Sequence, residues 1–202
     1  MKEKTPYKTL IEILKTRDYL TTKHCNNVAL LSICLGENLA LTGQELFFLY
    51  ISSLYHDIGK IAIPDRILFK KGKLEDKEFE VVKKHAELGS NLVSATELSL
   101  ISPYIRSHHE SWNGNGYPDG KIKKEIPLPS RIIRICDVFE AFVSERPYRE
   151  ALPVRKALAE MEKIADTFDP ELLDIFFSSL TLSSEKTSQD LLQKVRSLIR
   201  TK

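Results

Sequence analysis

The sequence has few cysteines and no spacing that would pair them. Cys25, Cys34 and Cys136 are odd in number and far apart. Such a set argues against a disulfide framework and against a zinc knuckle, since both need close or evenly numbered cysteines. A reducing compartment is therefore the simplest prediction.

Long apolar runs and an excess of one charge are also missing. No segment reaches the roughly 18–20 apolar residues that a membrane-spanning helix needs, and the charged start from Met1 to Pro6 does not resemble a signal peptide. Thirty Lys and Arg residues nearly balance 28 Asp and Glu residues, which leaves a net charge of +2. These features predict a soluble cytoplasmic protein with no membrane or nucleic-acid polymer as partner.

Strand-period alternation and internal repeats are absent as well, and helical spacing dominates. The predicted fold class is all-α. Thr21 or Thr22 is a candidate cap for the second helix, Thr42 opens the third with a capping box, and Gly59 is expected to end it. The predicted helices cover Tyr7–Tyr19, Thr22–Leu35, Gly43–Ile58, Glu75–Leu92, Pro103–His109, Arg131–Ser144, Val154–Ala165, Pro170–Phe177 and Gln189–Ile199.

Two segments are predicted to be irregular, the first of them with one short turn. Ile61–Gly72 has Pro64 and a lysine-rich end, and Asn113–Pro129 is rich in glycine and proline. We expect three parts along the chain: a helical extension over 1–20, the main domain over 21–180, and a C-terminal helix over 181–202.

All five histidines fall within or at the ends of predicted helices, in at least four separate segments. A helical bundle can direct side chains from several helices to one point in its core. Asp137 stands in a mostly apolar stretch and needs a partner there. Seven groups, one of them a bridging carboxylate, exceed the roughly four to six ligands of a single ion and suit two. Their mixture of imidazole and carboxylate, without thiolate, fits iron, manganese, zinc or similar ions: His24, His56, Asp57, His85, His108, His109 and Asp137.

The order of short motifs resembles the HD-GYP domain, a branch of the HD phosphohydrolase superfamily, from about His24 to Phe177. The motifs are His56-Asp57-Ile58-Gly59-Lys60, Lys84-His85 with Gly89, His108-His109-Glu110, Gly114-Asn115-Gly116-Tyr117-Pro118, Asp137, Arg146-Pro147-Tyr148-Arg149 and Phe168-Asp169-Pro170.

This resemblance implies a compact bundle of five or more core helices around a metal centre. It implies a phosphodiesterase that acts on the bacterial second messenger cyclic di-GMP with two divalent ions, iron or manganese first. One ion would be held by His24, His56 and Asp137, the other by His85, His108 and His109, and Asp57 would bridge them.

The resemblance also implies substrate contacts. Lys60 would contact the scissile phosphate, which makes it a catalytic residue beside Asp57. Arg146 and Arg149 would hold phosphates, and arginine is suited to such bidentate contacts. Tyr117, within the Gly116-Tyr117-Pro118 loop, would help seat the nucleotide.

Three positions depart from the family pattern. Some members carry a glutamate four residues before the first histidine that supports a third metal, but this chain has Leu20 there and Asp18 further back. We therefore predict two metals and, as two-metal members tend to give, the linear product pGpG. Glu140 and Glu145 replace aspartates, so Glu140 is expected near the substrate with a longer reach that loosens its contacts.

Two alternatives stay open. The chain could be a cyclic di-GMP receptor or scaffold that acts through partners such as GGDEF domains, with the Gly116-Tyr117-Pro118 loop as the contact. It could instead hydrolyse another cyclic dinucleotide or a nucleotide. The two terminal helices could pack on the core, form a homodimer, or connect to a sensor domain.

Overall fold

A computed structural model describes residues 6–145 and 150–181. Helices and turns account for this part of the chain, which contains no strand, so the predicted all-α class is confirmed. No helix within the described ranges combines the length and hydropathy needed to cross a membrane. The predicted helix Gln189–Ile199 lies outside the described residues, as do Arg146 and Arg149, the two arginines expected to hold phosphates.

Ten α-helices follow one another along the described chain, with short 3-10 helices between some of them. The 3-10 helices cover Ile58–Ala62, Ser99–Ile101, Lys123–Glu125 and Ala165–Thr167. The α-helices are α1 (Pro6–Arg17), α2 (Tyr19–Asn38), α3 (Gly43–Tyr55), α4 (Asp65–Leu68), α5 (Asp76–Lys83), α6 (His85–Ser94), α7 (Ser102–Arg106), α8 (Leu128–Val143), α9 (Val154–Glu162) and α10 (Pro170–Thr181).

The caps of α2 and α3 set where these two long helices begin. Thr42 and Glu45 form the predicted capping box, with the side chain of Glu45 accepting from the Thr42 N–H at 2.8 Å. The prediction that Thr21 or Thr22 caps α2 is wrong. Asp18 caps it instead, because its Oδ1 accepts from the N–H of Thr21 at 3.0 Å and satisfies a donor of the first turn.

The end of α3 differs from the prediction in a way that matters for the site. The helix ends at Tyr55, and His56 and Asp57 follow it rather than lying in its last turn. Gly59 therefore does not end the helix, but lies inside the 3-10 helix that follows. A Cβ at Gly59 would collide with the backbone carbonyl of His85. Glycine is needed there because two backbone segments touch.

The predicted single helix over Glu75–Leu92 is two helices that meet at Lys84. The break brings His85 to the first position of α6, where its Nδ1 donates to the carbonyl of Val82 at 2.7 Å. His108 and His109 likewise lie in the turn after α7 and not in a helix. The expectation that every histidine lies inside or at the end of a helix fails for this pair.

Two hydrophobic clusters support the fold. The larger one joins α2 to α8, α9 and α10 around Phe139, Met161 and Phe176. The smaller one joins α1 to α3, α6 and α7, and Leu14 of α1 is fully buried in it. The predicted boundary at residue 20 falls within α2, and α1 packs on the core through this leucine.

Candidate metal centre

Five separate parts of the chain contribute the seven predicted metal ligands, and the structure brings all seven together. His24 is on α2 and Asp137 on α8, while the other ligands come from the ends of helices and from turns. These side chains form two groups. Within each group, the ligand atoms all lie within 4.8 Å of one another. We call His24, His56 and Asp57, with the adjoining Asp137, the His24 cluster, and Asp57, His85, His108 and His109 the His85 cluster.

Asp57 belongs to both clusters and faces each with a different oxygen. Its Oδ1 lies 3.2 Å from Nε2 of His85. Its Oδ2 lies 3.5 Å from Nε2 of His56 and 3.9 Å from Nε2 of His24. A carboxylate in this position can bind one cation with each oxygen.

Three of the imidazoles are anchored through backbone carbonyls. A carbonyl oxygen only accepts, so each bonded Nδ1 carries the proton and each Nε2 carries a lone pair. Such anchoring is how proteins orient a histidine toward a metal. The carbonyl lies three residues earlier each time: Ser53 for His56 (2.7 Å), Val82 for His85 (2.7 Å) and Ile105 for His108 (2.5 Å).

The Nε2 atoms of these rings lie close together, and none of them carries a proton that it could donate. Nε2 of His85 lies 3.2 Å from Nε2 of His108 and 3.1 Å from Nε2 of His109. His85 and His108 face each other with two lone pairs, which repel. Nε2 of His56 is buried and has no hydrogen-bond partner among the described residues. A bound cation would satisfy these acceptors, so the donor set fits a metal centre.

The protonation states also suit a cation. Burial lowers the pKa of His56, His85, His108 and His109, which keeps these imidazoles neutral. Burial acts in the opposite direction on Asp57, but the nearby Lys60 ammonium and the protonated His24 ring outweigh it and hold its pKa well below the usual range. Neutral imidazole and ionised carboxylate are the forms that ligate metals.

His24 is different because two carboxylates hold its ring. Its Nε2 lies 3.0 Å from Oδ1 of Asp137, and its Nδ1 lies 2.5 Å from Oε2 of Glu140. Burial opposes a charge on this ring, but the two hydrogen bonds prevail and raise the pKa of His24 to about 9. A cation at Nε2 would replace that proton.

Glu140 was predicted near the substrate, and the structure places it behind His24. It is 1 % exposed, and its Oε1 accepts from Nδ2 of Asn27 at 2.8 Å and from Oγ of Ser144 at 2.5 Å. Its two oxygens are therefore occupied by three side chains. The sequence held one signal for this role, because Glu140 follows Asp137 by three residues and shares its helix face.

The candidates for a third metal ligand are directed elsewhere. Leu20 is 53 % exposed and has no ligand atom. The two carboxylate oxygens of Asp18 accept from Thr21, one from its N–H at 3.0 Å and the other from its hydroxyl at 2.5 Å. Neither residue adds a ligand to the His24 cluster in this arrangement.

Comparison with known proteins identifies the family. Residues 8–172 match the family model described as HD domain. The chain belongs to the HD domain family. It is 37 % identical over 164 residues to a cyclic di-GMP phosphodiesterase of Thermotoga maritima, an alignment that covers 79 % of this chain and 45 % of that protein. It is 34 % identical over 180 residues to the 3'3'-cGAMP-specific phosphodiesterase 3 of Vibrio cholerae, covering 88 % and 39 %.

A solved structure supports the fold. The HDG"Y"P protein Bd1817 from Bdellovibrio bacteriovorus superposes with a TM-score of 0.66 at 20 % identity, over 79 % of this chain and 52 % of that one. The resemblance to the HD-GYP branch is confirmed by these matches taken together. The chain spans less than half the length of the curated relatives it matches.

Lys60 lies at the mouth of the candidate metal centre. Its Nζ is 2.6 Å from Oδ2 of Asp57, and its side chain is 23 % exposed. The mouth is a cavity of about 220 Å³ that Lys60 lines together with His24, His109 and Asp137. A fixed positive charge therefore stands where the opening meets the shared carboxylate.

Tyr117 also lies close to the candidate centre and stacks on His109, one of the candidate ligands. Its ring centroid is 4.8 Å from that of His109, with 27° between the ring planes. Gly116 and Pro118 flank it, and a Cβ at Gly116 would collide with the backbone of Glu110 and Ser111. The loop can approach the centre this closely only with glycine at that position.

Glu110 holds the same loop in place. It is 1 % exposed, and its carboxylate accepts from the N–H of Asp119 at 2.7 Å and from the N–H of Lys121 at 3.0 Å. Arg106 adds a bidentate contact to Asp119. The sequence motif included Glu110 but gave it no role, because its partners are backbone groups about ten residues away.

Arg17 is a residue that sequence reasoning missed. From α1 it donates to the carbonyl of Ile63 at 2.5 Å, to Oδ1 of Asp65 at 2.6 Å and, at 3.5 Å, to the carbonyl of Lys60. It thus ties α1 to the segment that follows Asp57. An arginine at the end of an amphipathic helix gives no sign of such partners in the sequence.

Proposed function

We propose that this HD domain is a metal-dependent phosphodiesterase that hydrolyses cyclic di-GMP to linear pGpG on a centre of two divalent ions. The position of Asp57 supports this most, because its two oxygens face two separate groups of imidazoles. Iron and manganese are the expected ions, since both accept mixed imidazole and carboxylate ligands. The substrate is a bacterial second messenger, so we expect the domain to act in the cytoplasm.

The two clusters would divide the ions between them. His24, His56 and Asp137 would hold one ion, the three histidines of the His85 cluster the other, and Asp57 both. When bound, two such ions supply Lewis acidity toward the phosphate and acidify water at neutral pH.

Residues of the chain would orient the substrate around this centre. The Lys60 ammonium at the mouth would bind a phosphate oxygen and stabilise the charge that builds up during hydrolysis. Tyr117, fixed against His109, would seat the nucleotide. Arg146 and Arg149 are proposed to hold phosphates as the resemblance implies. For Glu140 we propose orientation of His24 in place of substrate contact.

A second candidate substrate is 3'3'-cGAMP, because one of the relatives is named for that activity. The two cyclic dinucleotides differ in one base, which lies away from the reacting phosphate. Both candidates therefore use the same metal centre, and only a direct comparison of substrates separates them.

The test is hydrolysis by protein purified without oxygen and loaded with Fe²⁺ or Mn²⁺, with the metal content of each sample measured. Cyclic di-GMP and 3'3'-cGAMP are supplied singly and as a mixture, and the products are separated by chromatography. We expect cyclic di-GMP to be consumed first and pGpG to accumulate.

Asp57→Ala should abolish hydrolysis, whereas Asp174→Ala, at an exposed acid of α10, should leave it unchanged. Preferred hydrolysis of cGAMP in the mixture would select the second candidate. Absence of turnover with every metal and in both redox states of the metal would refute the proposed enzymatic activity. Tight binding of cyclic di-GMP in that case would favour a receptor that acts through GGDEF-domain partners or a homodimer.

A further inference from the structure

A second cavity adjoins the metal centre on the side of the His24 cluster. Its volume is about 410 Å³, and it shares His24 and Lys60 with the mouth of the centre. The first turns of α2, the residues that follow α4, and the end of α8 form its walls. Its size is within the range of small-molecule sites in proteins.

The apolar walls of this cavity are unusually open. Phe69 is 48 % exposed and Leu20 is 53 % exposed, and Leu68 lies beside them in the lining. Phe69 belongs to neither of the hydrophobic clusters formed by the described residues. An aromatic ring that supports no core and lines a cavity is available to a ligand.

The charged groups of the cavity are mostly paired within the protein. Lys70 lies 2.6 Å from Glu78, and Lys60 lies 2.6 Å from Asp57. The carboxylate of Asp18 is held by Thr21, and that of Glu140 by His24. Two exposed residues of opposite charge, Lys23 and Glu145, complete the lining. This lining suits a flat, uncharged group more than a second phosphate.

We propose that this cavity binds one purine base of the cyclic dinucleotide and that Phe69 is its stacking surface. The inference rests on the proposed function, since it requires the scissile phosphate at the metal centre. From there, the adjoining base reaches a cavity that shares two lining residues with the mouth. Stacking of a base on an aromatic side chain stabilises binding substantially and tolerates any base.

Replacement of Phe69 should therefore affect the hydrolysis of the dinucleotide and not the hydrolysis of a diester that lacks a base. Glycerol 1,2-cyclic phosphate is such a diester, because it carries no aromatic ring that could stack, and it needs only the metal centre and Lys60. Comparison of the two substrates separates a base-binding role from a general loss of structure.

The experiment compares Phe69→Ala, Phe69→Trp and Phe47→Ala in the metal-loaded protein. Phe47 is a matched control, because it is 54 % exposed and does not line the cavity. Phe69→Ala should raise KM for cyclic di-GMP about tenfold, with kcat changed less than about twofold. Phe69→Trp should retain the wild-type KM, and hydrolysis of glycerol 1,2-cyclic phosphate should be unchanged in all three variants.

A parallel loss with both substrates, or no change with either, would overturn the proposal. Fluorescein-labelled cyclic di-GMP provides a binding measurement that does not depend on turnover. If the wild-type domain binds this probe without hydrolysing any diester, the proposed function fails, yet about tenfold weaker binding by Phe69→Ala would still support the cavity. Equal binding by Phe69→Ala and wild type would reject it, and no binding by wild type would reject both proposals.

Discussion

The two ligand clusters share Asp57 but differ in what stands behind their imidazoles. Behind His24 is a buried carboxylate, Glu140, and a second one, Asp137, faces the same ring. Behind His85 and His108 are backbone carbonyls. The pKa of His24 is accordingly raised to about 9, although burial opposes it, while burial lowers the pKa of His85 and His108.

One fold therefore places two groups of candidate ligands with unlike chemistry a few ångströms apart. Negative oxygen ligands suit hard cations, whereas a set of neutral nitrogens suits softer ones. The His24 cluster combines two carboxylates with two imidazoles, and the His85 cluster combines one carboxylate with three imidazoles. We expect the two ions to be held with different affinities.

Removal of one histidine from each cluster should have the largest effect. His24→Ala and His108→Ala should each lose about one of two bound ions and reduce kcat on the order of a thousandfold, since loss of a ligand should exceed the 10–100-fold effect of an outer-shell partner. Metal analysis by mass spectrometry measures the ion count. Loss of both ions in either single variant would show that the clusters do not bind independently.

Gly59→Ala should disrupt the backbone contact between the segment that carries Asp57 and α6. The new Cβ would meet the backbone of His85 and Gly89, neither of which can rotate away, so we expect a loss of about 3 kcal/mol in the free energy of unfolding. Gly43→Ala is the control, because nothing lies within 4 Å of a Cβ there. Denaturant titration measures both variants, and equal midpoints would contradict the close contact.

The convergence of the seven candidate ligands could be predicted from sequence because each is a residue type with few other uses in a core. Helix periodicity likewise sufficed for the fold class. The errors concern helix ends. The break before His85 depends on the hydrogen bond from this histidine to a backbone carbonyl. The early end of α3 depends on two backbone segments in contact. Neither interaction produces a periodic pattern in the sequence.

The supporting residues were harder to predict for the same reason. Glu140 acts on a histidine 116 positions away, and Arg17 acts on carbonyls more than 40 positions away. Such pairings are set by tertiary packing. Glu110 was part of a motif, but its partners are main-chain groups that carry no residue identity.

Glu140→Gln should change the metal affinity of the His24 cluster and leave that of the His85 cluster unchanged. The amide cannot hold the His24 ring as an ionised carboxylate does, so the affinity of the His24 cluster for metal should fall about 10–100-fold. The ion in the His85 cluster should remain. Titration with Mn²⁺, followed by isothermal calorimetry, resolves the two affinities.

Glu110→Gln is the matched control, since this acid is equally buried but bonds backbone N–H groups of the Gly116 loop. It should leave both metal affinities within about threefold of wild type, because the recorded partners of its carboxylate are backbone N–H groups and not an imidazole. If metal binding is weakened to a similar extent in the Glu140→Gln and Glu110→Gln variants, Glu140 affects metal affinity only through the stability of the fold.

Arg17→Met should have the smallest effect and would show how firmly α1 supports the His24 side. The variant keeps an apolar stem but loses the hydrogen bonds to the carbonyls of Lys60 and Ile63, which we expect to cost about 1 kcal/mol in the free energy of unfolding. The Asp65 partner is largely exposed and adds little. Lys15→Met, in a wholly surface pair with Glu12, should change stability by less than about 0.5 kcal/mol. Equal denaturation midpoints for the two variants would mean that Leu14, and not Arg17, fixes α1, since its burial in the smaller cluster is common to both.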